Sequence, residues 1–222
     1  MILSIETLEL GQGIFTVSDL AEILRIPKTR VRYWFNTYVR EELPAITNYR
    51  YNFNSDQGLY VNFRSLLQLY VFEELKKEGF NKKSVLSAYS ALSATLNTMY
   101  PFATDKILIA GKSILLELDN QHIIDANSTK QFNLVKILAP YLKKIQFDQS
   151  GNALRFFPLG IESSIVVDPE IQFGAPVISG TRIDIKTIFD SYQAGDSKEL
   201  IAKIYDLSTD QVNDGIEFSN AA

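Results

Sequence analysis

Residues 16–36 read TVSDLAEILRIPKTRVRYWFN, the pattern of two short helices joined by a tight turn. Thr16, followed three positions later by Asp19, is typical of the capping box that opens a helix. Pro27 ends that helix, because proline lacks an amide hydrogen and disfavours helical geometry in the residue before it. A second helix is predicted over Lys28–Val39, so the stretch predicts a helix-turn-helix.

The second helix has an apolar face and a basic, hydrogen-bonding face. Val31, Trp34, Phe35 and Tyr38 recur at the three-to-four spacing of a helix side that faces a core. In a helix-turn-helix the second helix enters the major groove of DNA. The residues predicted to face outward and bind DNA are Lys28, Thr29, Arg30, Arg32, Tyr33 and Asn36. The competing interpretation is that these basic residues form only a solvated surface.

A β-hairpin is predicted after this helix. Residues 48–53 alternate between polar and aromatic side chains, residues 54–58 have the composition of a turn, and residues 59–61 return as a strand. This hairpin is interpreted as a wing, and Arg50 is predicted to contact a DNA phosphate. Residues 1–80 are therefore predicted to form a winged helix-turn-helix DNA-binding domain.

Two longer apolar helices follow. Asn62 is predicted to cap a helix over Phe63–Lys77, and Asn81 is predicted to cap one over Lys82–Met99. Both are too apolar to stand alone in water, so they are expected to pack on the helix-turn-helix, on a second subunit, or on both. A homodimer is attractive because dimers bind paired DNA half-sites, and an intramolecular core is an equal alternative.

Residues 81–162 are predicted to contain a helix and a small α+β domain that acts as a linker or in dimerisation. One more helix is expected near residues 132–142. The predicted strands are Lys106–Ile109, Ser113–Leu118, Gln121–Ile124, Lys144–Phe147 and Ala153–Phe157. This part has no pattern of a phosphate-binding loop, a metal site or a nucleophile, so it is interpreted as scaffold.

Residues 163–222, called the C-terminal segment below, are predicted to form a β-hairpin and a three-helix, helix-turn-helix-like domain. Gly174 and Gly180 mark positions of the hairpin where a positive φ is expected. The helices are expected over about Ile185–Gln193, from Asp196 with Glu199, and from a capping box of Ser208 and Gln211. The whole chain is therefore predicted to be α+β and mainly α.

The two helix-turn-helix patterns carry opposite charge. The C-terminal segment has four Lys and Arg residues against ten Asp and Glu residues. The counterpart of the basic helix presents Asp210, Asn213, Asp214 and Glu217. Because cationic side chains neutralise DNA phosphates and carboxylates are repelled by them, only the first pattern is predicted to bind DNA. The acidic face suits either a protein with a basic groove or solubility alone.

Composition argues against several kinds of chemistry. The chain has no cysteine and one histidine, so thiol chemistry and His-rich zinc sites are excluded, no cofactor or metal is expected, and His122 is assigned no role. A nuclease using Asp168, Glu170 and Asp184 is the enzymatic alternative, but acids are common in turns and caps, which favours a non-enzymatic protein. No run reaches the roughly 18 apolar residues of a membrane span, and residues 1–10 lack a signal-peptide layout, which predicts a cytoplasmic protein.

Two segments resemble known families. Thr16–Ala21 with Arg32-Tyr33-Trp34 resembles the MerR-type winged helix-turn-helix. Ile165–Phe218 is similar to the antitoxin-type domain of unknown function 433, DUF433. The second resemblance depends on Asp168-Pro169, on Gly174, Pro176, Ile178, Gly180, Thr181 and Arg182, on Gly195-Asp196-Ser197, and on Tyr205 with Val212.

A MerR-like domain joined to such a segment resembles the VapB-type antitoxins, which pair with PIN-domain ribonuclease toxins. The resemblance implies that the chain binds its own operator DNA for autoregulation and sequesters a toxin. A PIN-type nuclease has a carboxylate-lined pocket that an inserted Arg182 would fit, whereas the alternative is a local pairing of Arg182 with Asp184 or with a carbonyl. The second functional hypothesis is a ligand-responsive, MerR-like regulator that has no toxin partner.

Overall fold

The computed structural model describes residues 12–36, 60–107 and 134–220. Within these ranges the predicted α+β fold, mainly α, is confirmed. The helices are α1 (Val17–Leu24), α2 (Lys28–Trp34), α3 (Phe63–Lys77), α4 (Lys82–Leu96), α5 (Leu134–Leu142), α6 (Ile185–Gln193), α7 (Lys198–Tyr205) and α8 (Thr209–Asn220). The strands are β1 (Phe15–Thr16), β2 (Tyr60–Val61), β3 (Ile145–Phe147), β4 (Ala153–Phe156), β5 (Ile165–Val167) and β6 (Pro176–Ile178).

The first two helices form around the predicted local signals. The Thr16 hydroxyl accepts from the Asp19 amide and the Asp19 carboxylate accepts from the Thr16 amide, which confirms the capping box at α1. Arg25 then adopts a left-handed conformation (φ 54°), which turns the chain toward Pro27 and α2. Helix α2 itself ends at Trp34, and the rest of the predicted second helix, residues 37–39, lies outside the described residues.

The strand at the end of the predicted wing pairs with the strand that precedes α1. β1 and β2 are antiparallel, with Phe15 opposite Val61 and Thr16 opposite Tyr60. The remaining residues of the predicted wing, 48–59, lie outside the described residues, and Arg50 is among them. The pairing anchors the segment that starts at Tyr60 directly beside the start of α1.

Helix α3 is the centre of the larger core. The side chains of Phe72 and Trp34 stack with their ring centroids 5.1 Å apart, and Phe102 meets Phe72 edge-on at 5.4 Å. Asn62 and Asn81 cap α3 and α4 as predicted. Because α3 is buried on almost every side, it holds α2 on one flank and the middle of the chain on the other.

Two sequence predictions in the middle of the chain are wrong. Helix α4 ends at Leu96 rather than Met99, because Asn97 takes a left-handed conformation (φ 48°) that stops the helix. The strand predicted from Lys106 does not begin there, because the Thr104 hydroxyl accepts from the Lys106 amide and closes a turn. The strands predicted over residues 113–118 and 121–124 lie outside the described residues.

A four-stranded antiparallel sheet joins the middle of the chain to the C-terminal segment. Its order is β3-β4-β5-β6, and Phe156 of β4 lies opposite Val167 of β5. Beside this contact, the Arg155 Nε donates to Asp168 Oδ2 across 2.6 Å. The sheet therefore crosses the position between residues 162 and 163, where the sequence predicts a domain boundary.

The C-terminal segment has its own apolar core under α6, α7 and α8. The buried residues of this core are Ile165, Ile178, Ile185, Ile188, Ile201, Ala202, Val212, Ile216 and Phe218. Ser208 and Gln211 form the predicted capping box at α8. The predicted cap of α7 is wrong by one residue, because Ser197 rather than Asp196 accepts from the Leu200 amide.

The C-terminal segment also contacts the residues at both ends of α1. The Ile14 amide donates to the Phe173 carbonyl across 2.9 Å, and the Arg25 guanidinium lies 5.0 Å from the ring centre of Phe218. Gly174 has a φ of +93°, and a Cβ atom there would lie 2.4 Å from the Phe15 ring. The positive φ predicted for Gly174 is therefore confirmed. The close approach of the Phe15 ring is a second reason why this position requires glycine.

Candidate nucleic-acid interface

Helix α2 presents one polar row to solvent. Val31, Trp34 and Phe35 are buried on the inner side, as the spacing predicts, whereas Tyr38 lies outside the described residues. The predicted DNA-binding residues that are exposed are Lys28, Thr29, Arg32, Tyr33 and Asn36. The row therefore contains two cations and three hydrogen-bonding side chains on an accessible surface.

Arg30 differs from the other predicted DNA-binding residues because it is tied to α3. Its side chain is 37% exposed, and its Nε donates to Glu73 Oε1 across 2.8 Å. The indole Nε1 of Trp34 donates to the same carboxylate oxygen. Glu73 is only 6% exposed, so one buried carboxylate holds two residues of α2 from beneath. Because of this bond, the Arg30 side chain is oriented partly toward α3 rather than fully toward solvent.

Glu73 is a residue that the sequence analysis missed. It lies in α3 directly after the buried residues Val71 and Phe72, where another apolar residue would be expected. A charged residue is almost never buried unless it is paired. A charged residue at a position expected to be buried was the signal that could have identified Glu73. The sequence does not show which cation and which hydrogen-bond donor pair with it.

A second group of cations lies beside α2. The Nζ of Lys76 is 5.9 Å from the ring centres of both Tyr33 and Trp34. Lys77 and Lys83 are exposed nearby along the chain, at the end of α3 and the start of α4. These lysines were not predicted as part of the interface, because the predicted boundary at residue 80 assigns them to two different domains. Lys76 of α3 thus adds a cation beside the aromatic rings of α2.

An open cleft of about 510 Å³ separates the outer side of α2 from α3. Its lining residues are Ile26, Pro27, Thr29, Arg30, Tyr33 and Glu73. The cleft lies between the exposed row of α2 and the buried carboxylate that anchors it. A phosphate or base edge approaching α2 would therefore meet donors on its walls and a fixed helix behind them.

On its other side, α1 faces the C-terminal segment through a carboxylate. Burial raises the pKa of Glu22 above its ordinary value, and the negative charges of Asp19 and Asp184 raise it further. The cations Lys186 and Lys28 oppose this rise in pKa. Glu22 is thus electrostatically coupled both to α2 and to the start of α6.

Arg182, the residue predicted to enter a toxin pocket, is exposed on the loop after β6. Its backbone carbonyl accepts from Gln172 Nε2 across 3.2 Å. The alternative partner, Asp184, instead caps α6 by accepting from the Lys186 amide. In the described ranges, none of the ion pairs involves Arg182.

The carboxylates of the enzymatic alternative have structural partners. Asp168 binds Arg155 through one oxygen and accepts from the Glu170 amide through the other. Asp184 caps α6, so its carboxylate serves the helix end. Within the described part of the chain, no cluster of three or more metal-ligating side chains is formed. No described helix has both the length and the apolar character needed to cross a bilayer.

Comparison with known proteins identifies the C-terminal part. Residues 165–219 match the family described as a protein of unknown function, DUF433. The matched residues begin at the first residue of β5 and include α6, α7 and nearly all of α8. This match confirms the DUF433 resemblance predicted from the glycine and proline pattern of the hairpin.

A sequence match and a structure match from Mycobacterium tuberculosis each cover most of the chain. A protein named "Putative antitoxin VapB45" is 20% identical over 226 residues, covering 92% of this chain and 92% of that protein. The X-ray crystal structure of Rv2018 has a TM-score of 0.72 and 17% identity, covering 91% of this chain and 96% of that chain. The predicted resemblance to a VapB-type antitoxin with a DUF433 domain is confirmed, and the fold is shared with Rv2018.

Proposed function

We propose that the chain is the antitoxin of a type II toxin–antitoxin system. It binds operator DNA with α2 for autoregulation and neutralises a PIN-like ribonuclease toxin with its C-terminal segment. It works in the cytoplasm as a homodimer and catalyses no reaction. The resemblance to VapB45 over 92% of both chains supports the antitoxin role. The alternative, a ligand-responsive regulator without a toxin, keeps the DNA-binding half of this proposal.

One observation supports the proposal that α2 binds DNA: contacts with α3 fix the inner side of α2, while its outer polar row is exposed. Glu73 binds Arg30 and Trp34, so the helix is held without using Lys28 or Arg32. These two side chains are exposed and available to phosphates or base edges. A rigid helix with an unburied cationic row is suited to a major groove, because little backbone order remains to be gained on binding.

Electrostatics supports a division of labour between the two ends of the chain. The cations Lys28 and Arg32 are exposed on α2, and the Nζ of Lys76 from α3 lies 5.9 Å from the ring centre of Tyr33. The C-terminal segment has ten acidic residues against four basic ones. Cationic side chains bind DNA chiefly by releasing condensed counterions, whereas an acidic surface is repelled. DNA binding therefore belongs to the N-terminal half.

The salt dependence of DNA binding tests this assignment. The probe is a duplex containing the region upstream of this chain's own gene, and affinity is measured by fluorescence anisotropy between 50 and 200 mM salt. Each phosphate contact contributes about 0.9 to the slope of log K against log salt. Replacing Lys28 and Arg32 with alanine is expected to reduce that slope by about 1.8 and to weaken binding.

The matched control replaces Lys143 and Lys203 with alanine, two lysines that are also exposed but lie outside α1 to α4. This control is expected to keep the slope and affinity of the unaltered chain. Equal losses in both double variants would mean that binding is a non-specific effect of net charge. No loss in the Lys28 and Arg32 variant would remove α2 from the interface.

The toxin half is tested with the purified product of the reading frame adjacent to this chain's gene. That protein is expected to cleave RNA alone and to lose this activity when one equivalent of the chain is added. Absence of a complex, together with thermal stabilisation of the chain by a small metabolite, would instead support the ligand-responsive regulator.

A further inference from the structure

Helix α7 exposes apolar side chains on the side that faces away from its core. Leu200 is 45% exposed and Ile204 is 57% exposed. They are one helical turn apart and therefore lie next to each other on the same face. On the opposite face, Ile201 and Ala202 are buried in the core of the C-terminal segment. A helix that is apolar on both sides is normally covered on both sides.

Charged side chains, more of them acidic than basic, flank this exposed apolar pair, and the exposed Lys203 lies on the same helix face. Residues 196–210 contain four acidic and two basic side chains. Glu199 lies beside Leu200 in the sequence, and Asp206 follows α7 immediately after its last turn. Both are exposed. Apolar residues at the centre and charged residues at the rim are the usual anatomy of a protein interface.

We propose that this outer face of α7, centred on Leu200 and Ile204, is the docking site for a protein whose contacting surface combines apolar side chains with net positive charge. The inference rests on the proposed antitoxin function and specifies which surface takes the partner. An enzyme that acts on nucleic acid has such a cationic surface, because it must hold a polyanion. The acidic rim therefore complements it.

Charge also decides against two other occupants. A symmetric contact between two copies would bring the same acidic face of each copy together. Like charges opposed across an interface oppose association. DNA is repelled by the same carboxylates. A cationic protein is the occupant whose charge matches the rim.

A pair of double variants with matched exposure tests the docking site. Leu200→Ser with Ile204→Ser removes the apolar centre. The control is Leu154→Ser with Ile161→Ser, whose side chains are 43% and 56% exposed and lie outside α7. Binding to the purified product of the adjacent reading frame is measured by isothermal titration calorimetry. The α7 variant is expected to bind at least tenfold more weakly, while the control changes affinity by less than about twofold.

The charged rim has its own variant, Glu199→Lys with Asp206→Lys. Because rim charges act mainly on the encounter of two proteins, this variant is expected to slow association and to lessen its dependence on salt. Surface plasmon resonance at 50 and 300 mM salt measures both effects. Since Leu200 and Ile204 are exposed, the serine variant is expected to unfold within a few degrees of the unaltered chain, which separates lost binding from lost folding.

The outcomes separate this inference from the function on which it rests. If the unaltered chain binds the adjacent product and the α7 variant binds equally well, the docking site is wrong and the antitoxin function stands. If the unaltered chain forms no complex, the antitoxin function is refuted and the docking site falls with it. A change of oligomeric state in the α7 variant, measured by sedimentation velocity, would assign this face to a second copy and overturn the proposal.

Discussion

Replacing Glu73 with alanine removes the carboxylate oxygen that accepts from both Trp34 and Arg30. The buried indole N–H of Trp34 is left without this partner, which costs about 1–3 kcal/mol. The Arg30 side chain is 37% exposed, so water replaces much of its lost ion pair and that loss stays below about 1 kcal/mol. The vacated space adds about 1 kcal/mol. The free energy of unfolding is therefore expected to fall by about 3 kcal/mol.

For a chain of this length the fall corresponds to a decrease of about 10 °C in the unfolding temperature, measured by calorimetry. The neighbouring Glu74 provides the control, because its carboxylate pairs with Lys77 at 2.7 Å on the surface. Glu74→Ala is expected to cost less than about 1 kcal/mol. Glu73→Gln, which keeps an acceptor for the indole, should lie between the two. Equal unfolding temperatures for Glu73→Ala and Glu74→Ala would refute the view that Glu73 anchors α2.

Two further predictions concern the contact between the C-terminal segment and the helix-turn-helix. Gly174→Ala forces a side chain to within 2.4 Å of the Phe15 ring at a φ of +93°, and should lower the free energy of unfolding by about 3 kcal/mol. Gly160→Ala, at φ +110° with no atom within 4 Å of the added Cβ, should cost only about 1 kcal/mol in urea unfolding. Because the folded-state pKa of Glu22 is raised above its ordinary 4.5, stability falls as pH rises through that folded pKa. Glu22→Gln should therefore raise the unfolding temperature at pH 7 and leave it unchanged at pH 4, and a variant that melts like the unaltered chain at both pH values would contradict this coupling.

The sequence predicts those features whose partners are close along the chain. The caps at Thr16, Asn62, Asn81 and Ser208 depend on side chains that reach a backbone amide three residues away, and all four are formed. The exposed row of α2 follows from helical periodicity in the same way. Local chemistry therefore accounts for the starts of the helices and for most of the candidate interface.

Features that join distant parts of the chain were not predicted. Glu73 meets Trp34 across 39 residues, and a single sequence does not show which face of α3 receives α2. The contact of Lys76 with the aromatic rings of α2 was not predicted either, because it also depends on how α3 packs against α2. The boundary predicted after residue 162 reflects a change in composition, whereas the pairing of Phe156 with Val167 is set by backbone hydrogen bonding. Tertiary contacts of this kind decide where a helix or strand is placed.

The way in which β5 joins β4 has a consequence for how such proteins are assembled. The DUF433 match starts at residue 165, the first residue of β5, so the family segment attaches to the rest of the chain by extending a sheet. In this chain β4 provides the strand edge that receives the segment, and a flexible tether alone would leave the β4-facing edge of β5 unpaired while β5 stays paired with β6. An unpaired strand edge invites association with other chains. In this chain the DUF433 match and the strand that precedes it thus form one continuous sheet.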